Sequence, residues 1–290
     1  MLDFSAVTLL NAPNLKHLLT HSYSRLCDYV YGTVLLWRDM WPLEAAVHDD
    51  MVFLRIEISK GQTAYMLPVA EDLEHALGIL DSFCPGGKLF SNVPYGEIET
   101  LRQRYKSIDI EAIASGGDYI YDAESMASLK GRKLHGQRNH CNYFERTWVH
   151  SLEKVTVANV CDVKEFIARK AVAGSSALFL EGNRKTLEAL DNLDVYGFSA
   201  MALYADGKVV GFTLGTLLGD TLYVTIEQAD RDYRGAYPKL ASGFVAEALK
   251  VCPELAFVNR EDDLGDEGLR RAKMSWNPCE IIERFAVTVE

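Results

Sequence analysis

No stretch of the 290-residue chain reaches the roughly 18 consecutive apolar residues that a membrane-crossing helix needs, so no span is expected. The N-terminus, MLDFSAVTLLNAPNLKHL, has neither the basic start nor the small-residue cleavage site of a secretory leader, and a cytoplasmic location is expected. Six cysteines, at 27, 84, 141, 161, 252 and 279, form no CxxC pair and no regular spacing. They read as reduced thiols, neither a disulfide frame nor a zinc site. Positive charge is scarce. Thirty Lys and Arg face 41 Asp and Glu, a formal net charge of -11. That argues against a general nucleic-acid binder, which needs a basic surface to displace counterions, but not against a local contact with one phosphate-rich ligand. Walker A, GxSxG, HExxH and GxGxxG patterns are missing, which removes the usual support for kinase, hydrolase and dehydrogenase readings.

What is present reads as a soluble globular protein with a sizeable core, at 48% hydrophobic and 24% charged residues, long enough for two domains. No Pro-, Ser- or Gly-rich tract separates the halves. In the C-terminal half, apolar spacing predicts helices at Asp162–Val172 and Arg184–Leu193. Strands are predicted at Phe198–Tyr204, Lys208–Leu218 and Leu222–Gln228, the first two joined by the tight turn Ala205-Asp206-Gly207. Helix Pro238–Val251, strand Leu255–Val258, helix Leu264–Met274 and strand Ile281–Val289 complete the order. The N-terminal half predicts helix Asn14–Leu26, strands Thr33–Trp37, Met51–Ile58 and Thr63–Pro68, and helix Glu71–Phe83. Strand Lys88–Ser91, helix Ile98–Tyr105 and a basic helical region, Leu129–Trp148, follow. The expected class is α/β with mixed sheets, in two tandem units divided as residues 1–148 and 149–290.

Chemistry concentrates in few places. Between Lys130 and Arg146 the sequence KGRKLHGQRNHCNYFER places Lys130, Arg132, Lys133, Arg138 and Arg146 against one acid, Glu145, with His135 and His140 among them. A basic patch in an acidic protein suits an anion; a solvated helix face is the other reading. The loop DRDYRGAYPK (230–239) lies between a predicted strand and helix. A helix N-terminus offers unpaired N–H groups to a phosphate. Gly235 and Ala236 would let the backbone approach, and Arg234 and Lys239 would supply charge; a capped structural turn is the alternative. Bulky Tyr237 and Pro238, which lacks an N–H, depart from a pyrophosphate loop. Glu227, at the end of the preceding strand, is a candidate general base, with Tyr233 and Tyr237 as candidate proton donors. Asn259 and Arg260 end the next predicted strand and are candidate substrate ligands. His17 and His21 lack a third ligand, and Asp262, Asp263, Asp266 and Glu267 read as acids at a helix start, so no metal is expected.

Three segments, YDAESMASLKGRKLHGQRNHCNYFER, ADRDYRGAYPKLASGFV and NREDDLGDEGLRRAKMSW, together resemble the phosphatidylglycerol lysyltransferase C-terminal domain family, in its stand-alone soluble branch. The resemblance implies two tandem Gcn5-related N-acetyltransferase-like domains, and relates the chain more distantly to the Fem peptidoglycan aminoacyltransferases. In those relatives an aminoacyl group passes from aminoacyl-tRNA to a lipid or cell-wall amine or hydroxyl. The family's large membrane portion has no counterpart in this sequence, which speaks against phosphatidylglycerol as the acceptor.

The resulting expectation is an acyl- or aminoacyltransferase with no tightly bound cofactor. Its donor would be a coenzyme A thioester or the acceptor end of an aminoacyl-tRNA. Lys130, Arg132, Lys133, His135, Arg138, Asn259 and Arg260 would bind substrate, and Arg234, Gly235, Ala236 and Lys239 the donor phosphate. A non-catalytic module of the same fold, binding a phosphate-bearing metabolite or a partner protein, is the second expectation. Oligomeric state is not legible.

Overall fold

Runs rich in β-branched and aromatic residues form the strands, and apolar residues at helical spacing form the helices that cover them. The computed structural model describes residues 2–19, 25–40, 42–59, 61–113, 117–170 and 177–290. The chain divides into two compact units. One comprises Met1–Asp118, Asp262–Gly265 and Ile281–Glu290, the other Tyr119–Glu261 and Asp266–Glu280. Among the described residues, no helix is long and apolar enough to cross a membrane.

The first unit runs β1 (Ser5–Ala6), α1 (Pro13–Lys16), a 3-10 turn (Cys27–Tyr29), α2 (Tyr31–Trp37), β2 (Leu43–His48), β3 (Met51–Ser59) and β4 (Gln62–Tyr65). It continues through α3 (Leu73–Phe83), β5 (Lys88–Pro94), α4 (Ile98–Arg104) and β6 (Ile108–Ala112). The second unit holds β7 (Asp118–Asp122), α5 (Ala123–Ser128), α6 (His135–Thr147), β8 (His150–Lys154), α7 (Val160–Lys170), α8 (Ala177–Asp191) and α9 (Leu193–Tyr196). Then come β9 (Ser199–Ala205), β10 (Lys208–Leu218), β11 (Thr221–Ala229), α10 (Ala236–Val251), β12 (Phe257–Asn259), α11 (Glu267–Met274) and β13 (Glu280–Ile282). The last strand, β14 (Arg284–Val289), returns to the first unit. The sheet orders are β1-β2-β3-β4-β5-β14-β6 and β13-β7-β12-β11-β10-β9-β8. Each contains one identified parallel pair, β4 with β5 and β11 with β12.

The division of the chain departs from the expected one at residue 148. Strand β7 pairs with β12 through Asp122↔Phe257, Tyr121↔Val258 and Ile120↔Asn259, so the basic segment that follows it belongs to the second unit. The predicted last strand, Ile281–Val289, splits in two. Its larger part, β14, is hydrogen-bonded on both edges in the first unit's sheet, by β5 and β6. Sequence order alone cannot reveal such an exchange, because each strand carries the same alternating pattern wherever it pairs.

Smaller differences have local causes. The predicted strand Thr33–Trp37 lies in helix α2, where every residue from Tyr31 to Leu36 is buried; a short, wholly apolar run has no period that separates helix from strand. Strands β1, β2, β6, β7 and β8 went unforeseen. The helix predicted over Asn14–Leu26 is confined to α1 before residues 20–24, which, with His21, lie outside the described residues. Helix α11 starts at Glu267 rather than Leu264, because the Asp266 side chain caps it by accepting from the Leu269 N–H.

In the second unit, α5 and α6 both pack against α10. The core there joins Tyr121, Met126 and Leu134 to Leu222, Val224, Phe244, Val258 and Trp276. Strand β11 carries a bulge in this core. Leu214 faces Ile226 and Gly215 faces Val224, which leaves Thr225 as an extra residue. Glu227 faces Thr213, two residues from Gly215, so the bulge puts Glu227 on the same face as Val224. Without Thr225 as the extra residue, Glu227 would share the face of Tyr223 instead.

Candidate functional site

Strands β11 and β12 pair in parallel only through Thr221↔Phe257, Leu222↔Val258 and Tyr223↔Asn259. Then β12 ends, while β11 runs on to Ala229. Glu227 and Arg260 bridge the opening that results, with Arg260 donating to Glu227 Oε1 at 2.7 Å. Their side chains are only 8% and 13% exposed, so this is a buried ion pair. It is also incomplete. Glu227 Oε2 and the Arg260 NH1 nitrogen are shut off from solvent and have no hydrogen-bond partner among the described residues. Each unmatched valence of this kind costs about 1–3 kcal/mol, more where the group is charged.

The pair has a firm frame. Arg260 lies 5.8 Å from the centre of the Tyr121 ring and 5.3 Å from that of Trp276, within cation–π range. Lys273, itself buried, donates to the carbonyls of Arg260 and Glu261 and sits 5.6 Å over Tyr119, fixing the chain just past β12. The Tyr121 hydroxyl donates to the Lys273 carbonyl at 3.0 Å, and burial raises its pKa, which keeps the donor proton in place. Asn259 is fully buried and its Oδ1 accepts from the Glu261 N–H at 2.6 Å, so it shapes the turn after β12. Lys273 and Trp276 lie in one of the patterned segments, but nothing in that pattern marks their part here. Lys273 lies in the last turn of α11 and Trp276 in the turn that follows it.

A cavity of about 280 Å³ adjoins the frame in the same unit. Tyr121, Met126, Leu134 and Trp276 form apolar wall, and Lys130, Arg132 and Lys133 supply charge. These three cations are exposed and make no ion pair among the described residues. The two aromatic rings thus touch the cavity and flank Arg260 as well. Arg138 and His135, expected beside them as ligands, serve the loop instead. Arg138 donates to the carbonyls of Leu129 and Gly131, and its NH2 nitrogen lies 3.2 Å from His135 Nδ1; His135 Nε2 meets the Asn139 amide at 2.9 Å. Their work is to hold the backbone that carries Lys130, Arg132 and Lys133.

The loop before α10 differs from an open phosphate cradle. Gly235 has φ +93°, and a Cβ there would lie 2.1 Å from the His140 carbonyl oxygen, so α6 packs directly on it. The Ala236 N–H is spent on the Tyr233 carbonyl at 2.9 Å, and Ala236 is buried. Pro238 has no N–H to give. Lys239 pairs with Glu145 at 2.5 Å, and Arg234 lies 4.8 Å over the Tyr143 ring. Tyr233 packs 5.3 Å from Trp148, while Tyr237 is on the surface. Glu227 has its contact with Arg260, and neither tyrosine is placed with that pair.

In the first unit, Cys27, Asp28 and Asp118 bring metal-type ligand atoms within 4.8 Å of one another. These atoms already serve each other and their neighbours. The Cys27 thiol donates to Asp118 Oδ1 at 3.5 Å and its N–H to Oδ2 at 2.7 Å. Asp28 accepts from Asn92 at 3.0 Å and Arg284 at 3.1 Å. Arg284 also pairs with Asp262, which the sequence placed at a helix start.

The phosphatidylglycerol lysyltransferase C-terminal family model matches residues 22–288. A conserved protein of unknown function from Bacteroides thetaiotaomicron superposes with TM-score 0.86 at 26% identity, covering all of both chains. The L-PGS structure from Bacillus licheniformis superposes with TM-score 0.67 at 11% identity, over 94% of this chain and 90% of that one. An uncharacterised protein of Mycoplasmoides gallisepticum is 26% identical over 208 residues, 67% of this chain. The match spans 62% of that curated relative's length. The architecture, two units each built on a seven-stranded mixed sheet, is accordingly shared with that L-PGS structure.

Proposed function

We propose, because this chain belongs to the phosphatidylglycerol lysyltransferase C-terminal family, that its second unit transfers an aminoacyl or acyl group from an activated donor to an amine or hydroxyl. The observation that carries the reading is the buried, incomplete Glu227–Arg260 pair at the opening between β11 and β12. The exposed cations Lys130, Arg132 and Lys133 around the adjoining cavity would hold an anionic donor end. Between the two donor classes, aminoacyl-tRNA is favoured over a coenzyme A thioester. A pyrophosphate needs several inward-facing amides at a helix start, and here α6 sits on Gly235 while the Ala236 amide is already bonded. With Glu227 paired to Arg260, catalysis would rest more on holding ester and nucleophile together than on a strong free base.

Thermal shift and direct binding with charged tRNA, uncharged tRNA, coenzyme A and acetyl-coenzyme A test the reading. A ligand at 100 times its dissociation constant adds about 2.7 kcal/mol. Stabilisation by charged tRNA, lost in K130A/R132A/K133A, is the expected result. Stabilisation by acetyl-coenzyme A alone would assign an acyl-thioester enzyme. The closed loop before α10 also suits the second reading, a non-catalytic module for a phosphate-bearing metabolite or a protein partner. Response to no donor would select it.

A further inference from the structure

We propose that Glu227 and Arg260 together read the α-aminoacyl head of the donor, which makes them the residues that set donor specificity. The assignment rests on the second unit being the transfer site and says what that site recognises. Glu227 Oε2 can only accept, and the Arg260 NH1 nitrogen can only donate. Because Oε1 of the same carboxylate is 2.7 Å from Arg260, the two open valences belong to one joined ion pair. A ligand that satisfies both must carry a donor and an acceptor a few bonds apart. An α-aminoacyl ester has both: its ammonium would meet Glu227 Oε2 and its carbonyl oxygen the Arg260 nitrogen. A plain acyl group offers the carbonyl alone and leaves the carboxylate oxygen unmatched, and a site built around a polar group discriminates strongly against analogues lacking it.

Placement supports the same assignment. The Thr225 bulge turns Glu227 onto the face of Val224, and the Lys273 bonds to the carbonyls of residues 260 and 261 hold Arg260 where β12 stops. Tyr121 and Trp276 flank Arg260 and also line the cation-rimmed cavity. A donor whose phosphates meet Lys130, Arg132 and Lys133 is thereby aligned with the pair, and Glu227 adds charge attraction for an ammonium.

The test uses the full chain with aminoacyl-tRNA and the same tRNA N-acetylated on its α-amine. A second probe set is a 3′-(aminoacylamino)-3′-deoxyadenosine, a non-hydrolysable mimic, with its N-acetyl counterpart. Free-amine forms are expected to bind about tenfold or more tightly than N-acetyl forms, the worth of one charge-assisted hydrogen bond. E227Q should erase that ratio, and R260K should weaken both forms. Equal affinity for the free and N-acetyl forms in the unaltered protein, or a ratio unchanged in E227Q, overturns the proposal; a buried water then completes the pair. The comparison within the unaltered protein needs no variant to fold. Charged tRNA bound without amine preference sinks this assignment alone, whereas no binding of any charged tRNA sinks the transfer reading and this assignment with it.

Discussion

The first unit buries Arg284 against Asp28 and Asp262, and the second buries Arg260 against Glu227. In the first, Asp28 has both oxygens matched, one by Asn92 and one by Arg284, and the arginine serves two carboxylates. In the second, each partner keeps one valence open. Burial of an arginine is common to both; what separates them is the carboxylate, matched at both oxygens in Asp28 and open at Oε2 in Glu227. A buried carboxylate matched at both oxygens helps to hold a fold together, whereas one with an unmatched oxygen carries a cost that only a ligand or a water relieves. The same contrast separates the two basic elements of the second unit. Arg138 is committed to backbone carbonyls, while Lys130, Arg132 and Lys133 stand exposed on the loop it holds.

The largest effect should come from the arginine that serves two carboxylates. R284M removes the cation that Asp28 and Asp262 share, and breaking a buried pair in this way costs about 3–5 kcal/mol. A fall in Tm of roughly 6 °C or more is expected for a protein of this size, read by calorimetry. A Tm within a degree of the parent would remove the distinction between the two arginines.

G235A comes next. An alanine Cβ would collide with the His140 carbonyl, and φ +93° strains any side chain, so a loss of about 2 kcal/mol or more is expected. If the glycine instead admitted a phosphate, the variant would keep its Tm and lose donor binding. Parallel melting and binding curves separate the two.

Asp28 sharpens the comparison through pH. Burial is the main cause that raises its pKa to about 6, with Arg284 opposing. Since the folded value lies above the unfolded one, the folded state holds the proton more tightly. Its stabilisation is full below about pH 4 and is lost as pH rises through 6. D28N keeps a neutral side chain at every pH. The stability of D28N relative to the parent should therefore climb between pH 4 and 7, by about 2 kcal/mol in order of magnitude. A difference that stays flat across that range would mean that Asp28 is charged throughout in the fold.

Much of this was legible in the chain. The meander of β9, β10 and β11, the helix α10 and the position of Glu227 at a strand end follow from alternation, turn residues and helical spacing. Arg260 was placed at the end of the next strand for the same reason. Pairing between distant segments was not legible. The contact of Glu227 with Arg260 depends on a bulge at Thr225 and on β12 stopping at Asn259, neither of which leaves a compositional mark. The exchange of β7 and β14 is hidden because strand pattern does not name a strand's neighbour. The phosphate-loop expectation at residues 234–239 followed from Gly235, but the same glycine serves close helix packing. A glycine signals only that backbone comes near, not whose.

The smallest stability change carries the most meaning for the second unit. E227L/R260M replaces the buried pair with apolar side chains of similar size beside Tyr121 and Trp276. Substitutions of this kind in buried ion pairs are neutral or stabilising by about 1–4 kcal/mol, because the desolvation cost disappears with the charges. The pair here forgoes two hydrogen bonds besides, which moves the expectation further from a loss. Tm should therefore hold or rise while donor binding loses its preference for a free α-amine. If Tm falls as far as in R284M, the Glu227–Arg260 pair is a structural element like its counterpart in the first unit, and its open valences are filled in solution by water.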